Sequence, residues 1–300
     1  QWTVRSYTVS YDANGGSGAP GDQSVDYQAT ATVSATEPTR SGYAFTGWNT
    51  VSGGSGTGYA SSGTFLMPAA NVTLYAQWSA NSYNLTYNVN GGTSSAPSAQ
   101  TAVTDATISV TSTTPTRAGY TFTGWNTSGN GSGTDYAAGA SFTMPAGGDE
   151  LFAQWSANTY TVSYNANGGS GAPSSTSAET DSTVTVSSTV PTRDGYTFTG
   201  WNTASGGTGT AQASSSTFVM PSSNVTLYAQ WSADPYIVSY DANGGSGAPA
   251  NQVQVTDSTV TVSSTTPTRT GYTLASWNTE SNGTGTGYAV GATFTMPPEN

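Results

Sequence analysis

The sequence predicts a mainly β protein built from four tandem copies of one small module. Tryptophans recur at intervals of 76 or 77 residues, and a ladder of tyrosines recurs with the same period. Within each copy apolar and polar residues alternate with period two, as in a half-buried strand. No segment has the 3.6-residue apolar spacing of an amphipathic helix. Because a fixed repeat overrides the domain count expected from length, the 300 residues divide into four modules.

Four kinds of position mark the module. Each copy has a tryptophan, an arginine eight residues before it and a Met-Pro pair nineteen residues after it, and a second tryptophan ends the first three copies. These structural positions are Trp48, Trp125, Trp201, Trp277, Trp78, Trp155, Trp231, Arg40, Arg117, Arg193, Arg269, Met67, Met144, Met220 and Met296. The expected boundaries are 1–6 for the end of a preceding module, 7–82, 83–159 and 160–235 for complete modules, and 236–300 for a fourth that lacks its final strand.

A half-buried strand is expected at the start of each module. In the first copy Tyr7, Val9 and Tyr11 share one face, because successive side chains of a strand point to opposite sides. An Asn-Gly-Gly sequence follows at Asn14 and supplies the positive φ angles of a tight hairpin turn. A turn is therefore predicted to close the first strand.

The rest of the module reads as three strands and one loop. The β-branched residues 183–186 predict a strand that ends at a Pro-Thr-Arg sequence. Residues 195–201 predict a strand whose Tyr and Phe share a face, and the Gly/Ser-rich residues 205–209 predict an exposed loop. Residues 225–231 predict a closing strand with Val, Leu, Ala and Trp on one face. Asp105, Asp181 and Asp257 are expected to begin or break the β-branched strand.

Only short links separate one closing strand from the next opening strand. Residues 79–82 and 156–159 are links of the Ser-Ala-Asn type. Such links leave little freedom, so the four modules are expected to form an elongated, semi-rigid rod in which each touches its neighbours.

The composition excludes several classes of function. Charged residues make up 7% of the chain and the net charge is −11, which disfavours nucleic acid and anionic lipid as partners. Cysteine and histidine are absent and all five basic residues are arginine, so thiolate, imidazole and Schiff-base chemistry are excluded. No apolar stretch approaches the length that spans a bilayer, so no membrane insertion of this segment is expected.

Three sequence blocks in a fixed order carry a family resemblance. They are Tyr-Thr-Val-Ser-Tyr-Asp-Ala-Asn-Gly-Gly, then Pro-Thr-Arg-x-Gly-Tyr-x-Phe-x-Gly-Trp, then Met-Pro followed by Asn-Val-Thr-Leu-Tyr-Ala-Gln-Trp. Together they resemble the Listeria-Bacteroides repeat, the B-repeat module of internalin-type bacterial surface proteins, over the whole chain. The resemblance implies a small β-grasp-like module that serves as a spacer or interaction segment, and it implies no catalytic residues. The fourth copy departs from it at Leu274 and Ser276.

Carboxylates are the only side chains left for acid or base chemistry, and they do not form a site. Asp12 and Asp241 are replaced by Asn88 and Asn165 in the other copies, so no carboxylate pair recurs. The segment 12–16 faintly resembles a calcium loop but lacks a distal bidentate glutamate, which favours a plain turn. We expect no enzyme activity, no cofactor and no metal site.

The recurring arginines and aromatic residues leave alternatives open. The arginines could form a row of anion contacts, but stacking on a ring or bonding to loop carbonyls of the same module is favoured, because no recurring acidic partner is visible. The tryptophans could stack on sugars, but most are expected in the core, because a small module has few other large side chains. Tyr59, Tyr136 and Tyr288 are the candidates for surface contact, because the third copy carries Gln212 in that region.

The sequence leaves two kinds of covalent modification open, an ester crosslink and glycosylation. Without lysine a Lys-Asn isopeptide bond is impossible, whereas a Thr-Gln ester is conceivable at the glutamines that alternate with Leu and Trp, namely Gln77, Gln154 and Gln230. Glycosylation is left open by the sequons at Asn71, Asn84, Asn126, Asn130, Asn224 and Asn282.

The sequence thus predicts a structural repeat segment, a stalk or filament, of an extracellular bacterial protein that is on the cell surface or secreted. The expected partners are neighbouring copies of the module or chain, through head-to-tail contact or donation of the strand missing from the fourth module. The alternative is a carbohydrate- or receptor-binding adhesin module that binds host or matrix glycans through Tyr, Trp and the Gly-rich loops.

Overall fold

The computed structural model describes residues 1–299, which contain 27 strands and no helix. The prediction of a mainly β fold is therefore confirmed. Contacts divide the chain into two compact units, Gln1–Ser156 and Ala157–Asn300, and each unit holds two modules. The strands of the first module are β1 (Ser6–Asp12), β2 (Gln23–Asp26), β3 (Thr30–Thr32), β4 (Tyr43–Asn49), β5 (Gly58–Tyr59), β6 (Thr64–Leu66) and β7 (Val72–Ala80).

One mixed sheet forms the frame of the first module. Its strand order is β2-β1-β7-β4-β5, and β3 and β6 form a separate antiparallel pair. The opening strand β1 and the closing strand β7 are parallel, with Val9 opposite Val72, while the other pairs of the sheet are antiparallel. The last strand of the module thus lies at the centre of its sheet.

The second and third modules repeat this arrangement. The second has β8 (Ser82–Asn88), β9 (Gln100–Val103), β10 (Thr107–Ser109), β11 (Tyr120–Asn126), β12 (Asp135–Tyr136), β13 (Ser141–Thr143) and β14 (Asp149–Ala157). The third has β15 (Thr159–Asn165), β16 (Thr176–Glu179), β17 (Thr183–Thr185), β18 (Tyr196–Asn202), β19 (Ala211–Gln212), β20 (Thr217–Val219) and β21 (Val225–Ala233). In both, the closing strand lies between the opening strand and the tryptophan-bearing strand.

The fourth module contains three strand pairs within the described residues. Its strands are β22 (Pro235–Val238), β23 (Gln252–Val255), β24 (Thr259–Thr261), β25 (Trp277–Asn278), β26 (Gly287–Tyr288) and β27 (Thr293–Thr295). They pair antiparallel as β22-β23, β24-β27 and β25-β26.

The core of each complete module is built around one tryptophan. In the first module Trp48 packs edge-on against Tyr11 and Phe45, with ring centres 4.9 and 5.3 Å apart. Leu74 of the closing strand and Met67 lie in the same fully buried cluster. Edge-to-face aromatic pairs add stability beyond the area that they bury, which suits a module with few aliphatic residues.

A bulge explains how Phe and Trp of one strand reach the same core. Phe198 and Trp201 are three positions apart, so a regular strand would place them on opposite faces. The register of β18 against β21 shifts between Phe198 and Gly200, where Gly200 has a φ of 141°. The extra residue turns Trp201 inward, and its ring centre lies 5.2 Å from that of Phe198.

The tight hairpin predicted after the first strand is wrong. Asn14 and Gly15 do have positive φ, 46° and 87°, but β2 begins only at Gln23, and Ser17 pairs instead with Thr39. The amide of Asn14 explains this, because it donates to carbonyls of the closing strand and of the Gly-rich loop at 2.8 and 2.9 Å. The turn is tied to the middle of the module and does not reverse directly into a partner strand.

Candidate functional site at the module junction

A single residue separates the closing strand of the first module from the opening strand of the second. The N–H of Asn81 donates to the carbonyl of Gly42 in the first module at 2.9 Å, and its own carbonyl accepts from the N–H of Thr104 in the second module at 2.9 Å. The hydroxyl of Thr104 also donates to the Gly42 carbonyl, at 2.8 Å. The linker residue is therefore bonded to both modules.

A tyrosine and an aspartate join the same two modules beside this link. The hydroxyl of Tyr43 donates to a carboxylate oxygen of Asp105 at 2.6 Å, and the guanidinium carbon of Arg40 lies 3.8 Å from the centre of the Tyr43 ring. The hydrogen bond to Asp105 raises the pKa of Tyr43 above its ordinary value of 10.0, because ionisation would remove the donated proton. Asp105 itself has a φ of 63°, and its carboxylate reaches Tyr43 of the first module.

The junction between the third and fourth modules has the same arrangement. Asp234 is the linker residue there, and its N–H donates to the Gly195 carbonyl at 2.9 Å while its carbonyl accepts from Thr256 N–H at 3.0 Å. The hydroxyl of Tyr196 donates to Asp257 at 2.6 Å, and this bond raises the pKa of Tyr196. Apart from the linker residue, Asn81 or Asp234, two junctions in separate units thus use the same residue types at the same module positions.

Glycine is required at the corner that precedes the junction tyrosine. Gly42 and Gly195 have φ values of 80° and 72°, and a Cβ added to either would lie 2.6–2.7 Å from the hydroxyl oxygen of Thr104 or Thr256. A real Cβ does not approach an oxygen so closely, so the two modules could not keep their present separation.

The recurring arginines stack on tyrosines of their own modules, as the favoured alternative requires. Guanidinium carbons lie 3.7–4.4 Å from the ring centres in the pairs Arg40–Tyr43, Arg117–Tyr120, Arg193–Tyr196 and Arg269–Tyr272. One of these arginines also has an acidic partner, since Arg193 lies 4.0 Å from Asp257. That partner belongs to the next module, which is why it was missed within a single copy.

The seven tryptophans at the structural repeat positions divide into a buried set and a half-buried set, whereas Trp2 is exposed. Trp48, Trp125 and Trp201 are fully buried and Trp277 is half-buried. The half-buried indole of Trp78 donates to the carbonyls of Ala13 and Asn14 at 3.0 and 3.1 Å, and the same contact recurs at Trp155 and Trp231. The methionines Met67, Met144, Met220 and Met296 are all buried. All of these side chains hold the module together.

The tyrosines considered for surface contact are half-buried. Tyr59 packs against Phe65 with ring centres 5.0 Å apart, and Tyr136 and Tyr288 make the equivalent contacts with Phe142 and Phe294. Part of each ring therefore supports the module, and only the remaining part faces solvent.

Buried asparagines that organise the Gly-rich loop were missed from the sequence. The carbonyl oxygen of Asn49 accepts from the N–H groups of Val51 and Gly56 at 2.9 and 3.0 Å, and its amide donates to the carbonyls of Gly54 and Gly56. The carbonyl oxygens of Asn126 and Asn202 accept in the same way, and burial removes Asn126 as a glycosylation acceptor. The sequence did contain a signal for these asparagines, since one directly follows the buried-strand tryptophan of every copy, at Trp48, Trp125, Trp201 and Trp277.

The segment 12–16, which resembles a calcium loop, and the glutamines of the closing strands form hydrogen bonds within their own modules. The Asp12 carboxylate accepts from the Asn14 N–H at 2.7 Å, which is the geometry of an Asx turn. The amide of Gln77 donates to the carbonyls of Ser52 and Tyr75, so it acts as a polar strap on the loop. Among residues 1–299 no group of three or more acidic side chains could hold a metal ion.

Comparison with known proteins decides the family. The model of the Listeria-Bacteroides repeat domain matches residues 7–77, 83–154, 160–230 and 236–300. The chain belongs to the Listeria-Bacteroides repeat family. The resemblance seen in the sequence is thereby confirmed, and the repeats are of the kind found in bacterial surface proteins such as internalins.

Three relatives share these repeats. A Gly-rich membrane protein of Evansella cellulosilytica is 39% identical over 69% of this chain and 24% of its own length, and a second membrane protein of that organism is 32% identical over 100% and 43%. Internalin H of Listeria monocytogenes is 35% identical over 52% of this chain and 26% of its own length. The chain thus spans less than half the length of these relatives. Within residues 1–299 no helix is long and apolar enough to cross a membrane.

Proposed function

We propose that this chain is a structural stalk segment of an extracellular bacterial surface protein, in which tandem modules hold other parts of the protein at a distance, without catalysis. The observation that carries the proposal is the linker residue Asn81, whose N–H and carbonyl are bonded to two different modules. A spacer needs resistance to bending between its modules, and a linker bonded on both sides supplies it.

Three restraints support stiffness at the junction. The backbone bonds of Asn81 fix the direction of the chain, the Thr104 hydroxyl bonds the Gly42 carbonyl, and the Tyr43–Asp105 bond holds the two modules at a second point. Domains joined by a small interface normally move relative to one another, so such a set of bonds distinguishes this junction from a flexible linker. Junctions of this kind support the semi-rigid rod. The parallel pair of the opening and closing strands within a mixed sheet supports the β-grasp-like classification.

The surface chemistry also supports a spacer at the cell exterior. Histidine, lysine and cysteine are absent, so imidazole, lysine-amine and thiolate catalysis are missing from the whole chain. The relatives named as membrane proteins and as an internalin place similar repeats in longer proteins. Neighbouring modules are the partners that this proposal requires.

Spin-label distances in the full chain test the proposal. Because the sequence has no cysteine, Ser24→Cys with Ser112→Cys places one label on each of the first two modules, and Ser24→Cys with Ser55→Cys gives a reference within one module. We expect the distance distribution across the junction to be nearly as narrow as the reference. A distribution several times broader would show a flexible linker and contradict the stalk.

Glycan binding is the competing outcome for the same segment. The full chain applied to a glycan array is expected to bind nothing above background. Specific binding that Tyr59→Ala, Tyr136→Ala and Tyr288→Ala together abolish would replace the spacer by a carbohydrate-binding module.

A further inference from the structure

The outer face of the β22–β23 pair is apolar, unlike the same face in the other modules. Ile237, Val253 and Val255 point outward and are 50%, 65% and 43% exposed. Ile237 and Val253 are directly opposite each other in the register of the pair. The residues at these three positions are Thr8, Ser24 and Asp26 in the first module and Thr161, Ser177 and Glu179 in the third. Only the fourth module therefore presents three branched aliphatic side chains there.

β23 is also an edge strand without a charged side chain. Among the described residues it is bonded to β22 and to no other strand. Edge strands offer unpaired backbone N–H and carbonyl groups to other chains, and an outward charge is a common block to such pairing. Asp26 and Glu179 supply that charge on the equivalent strands, whereas Val255 takes the position here.

The second module serves as an internal comparison. Its edge strand carries Val103 at the same position, but the outward neighbours Asn84 and Thr101 are polar and hydrogen-bond to each other at 2.7 Å. That edge lacks the charge but also lacks the apolar face. The two features occur together only in the fourth module.

The carboxylate that follows β23 in the sequence is engaged elsewhere. Asp257 accepts from the Tyr196 hydroxyl at 2.6 Å and lies 4.0 Å from the Arg193 guanidinium. Its charge is thus directed towards the junction between the third and fourth modules, and β23 itself has the sequence Gln-Val-Gln-Val. β23 itself therefore presents no negative charge to an approaching strand.

We propose that β23 is a self-association site, at which two copies of this chain pair antiparallel through their Gln252–Val255 strands. A two-fold axis at Gln254 places Val253 of one copy opposite Val255 of the other, and both valines stay on the outer face beside Ile237. The alternating sequence is complementary to itself under this symmetry, which is the condition for an isologous interface. Cross-strand pairs of β-branched residues stabilise such pairing. The occupant of this edge is therefore a second copy of the chain.

Net charge sets the conditions under which the pairing appears. Each copy carries a net charge of −11, so two copies repel each other unless salt screens their charges. The strand pairing itself relies on backbone hydrogen bonds and apolar contact. We therefore expect association to strengthen as salt is raised, opposite to the behaviour of a contact made by ion pairs.

Sedimentation velocity of the full chain tests the site. We expect the parent to shift with concentration and salt from its monomer mass of 30.4 kDa towards twice that value. Val255→Asp introduces the acidic residue that the first module carries at this position, and we expect it to raise the dissociation constant by at least about tenfold, because pairing would bury a carboxylate.

Two further variants make the result decisive. Val103→Asp adds the same charge to the second module and should leave association unchanged. Val253→Ser introduces the serine found at positions 24 and 177 and should weaken association without adding charge, which keeps the test valid if Val255→Asp disturbs the fold. A parent that stays monomeric at high concentration and high salt, or variants in β23 that associate as the parent does, would overturn the proposal.

Discussion

The hydroxyl of Tyr43 donates a 2.6 Å hydrogen bond to the carboxylate of Asp105, which lies 62 residues later in the chain and in the next module. Tyr196 and Asp257 repeat this relationship in the second unit. The aspartates were expected only to begin or break a strand, and they do lie in the turn before it with positive φ. Their side chains have a second role, which is to receive the tyrosine of the preceding module.

Alkaline pH is expected to release this tyrosine bond. The pKa of Tyr43 is raised in the folded chain by its bond to Asp105, so its contribution to stability is fully present below the ordinary value of 10.0 and is lost as the pH rises through the raised value. In an absorbance titration of phenolate, Tyr43→Phe should remove a component that ionises above pH 10.0. If Tyr43→Phe removes a component that ionises at or below the ordinary value, the bond does not persist in solution.

The repeat and the succession of the main strands along the chain could be predicted, because local sequence patterns encode them. Period-two alternation gave the opening strand around Val9 and the closing strand around Leu74, since each has one buried face. The short strands β2, β5 and β6 were not predicted, because two to four residues carry too little pattern. The bulge at Gly200 was also missed, since a one-residue shift leaves no local signal other than a glycine.

The junction could not be predicted from any single copy. Its partners come from two modules, so Arg193 and Asp257 are 64 positions apart and look unrelated when the copies are aligned on each other. Gly42 could be recognised in the sequence as a glycine that recurs in every copy. The requirement for glycine there comes from the close approach of Thr104, which belongs to the next module. Sequence comparison between copies finds what each module needs internally and misses what it supplies to a neighbour.

Removing the anchor of the Gly-rich loop should loosen that loop. Asn49→Ala leaves the N–H groups of Val51 and Gly56 without their acceptor, at a cost of about 1–3 kcal/mol for buried groups. Hydrogen exchange at these two amides is expected to accelerate, while exchange in β1 stays slow. Ser55→Ala, at an exposed position of the same loop, is the control and should change neither. Unchanged protection in Asn49→Ala would show that the loop is held by its backbone alone.

The central position of the closing strand gives a second stability test. Leu74 is fully buried, whereas Leu66 is 69% exposed, so the two leucines provide a matched pair within one module. Leu74→Ala should destabilise the first module by about 2–5 kcal/mol, because it removes buried methyl groups and leaves a cavity. Leu66→Ala should stay within about 0.5 kcal/mol of the parent. The measurement is the earliest transition in calorimetric unfolding, and equal effects of the two substitutions would contradict the assigned core.

The corner glycines allow the junction to be tested apart from backbone strain. Gly42 and Gly271 have φ values of 80° and 78°, so alanine at either position pays a similar penalty of about 1–2 kcal/mol for a left-handed conformation. Their surroundings differ, because a Cβ at Gly42 would lie 2.6 Å from the Thr104 hydroxyl and 2.9 Å from Ala146, whereas a Cβ at Gly271 meets no heavy atom within 4 Å.

Gly42→Ala is therefore expected to loosen the junction between the first two modules, whereas Gly271→Ala is not. The added methyl group must push Thr104 away, and the Gly42 carbonyl then loses the bonds from Thr104 and Asn81. With labels at positions 24 and 112, Gly42→Ala should broaden the distance distribution between the first two modules, while Gly271→Ala should leave it at the parent width. Equally wide distance distributions for the two variants would mean that position 42 is a glycine because of its positive φ, and not because of contact with the next module. In that case the stiffness of the junction would rest on the linker bonds alone.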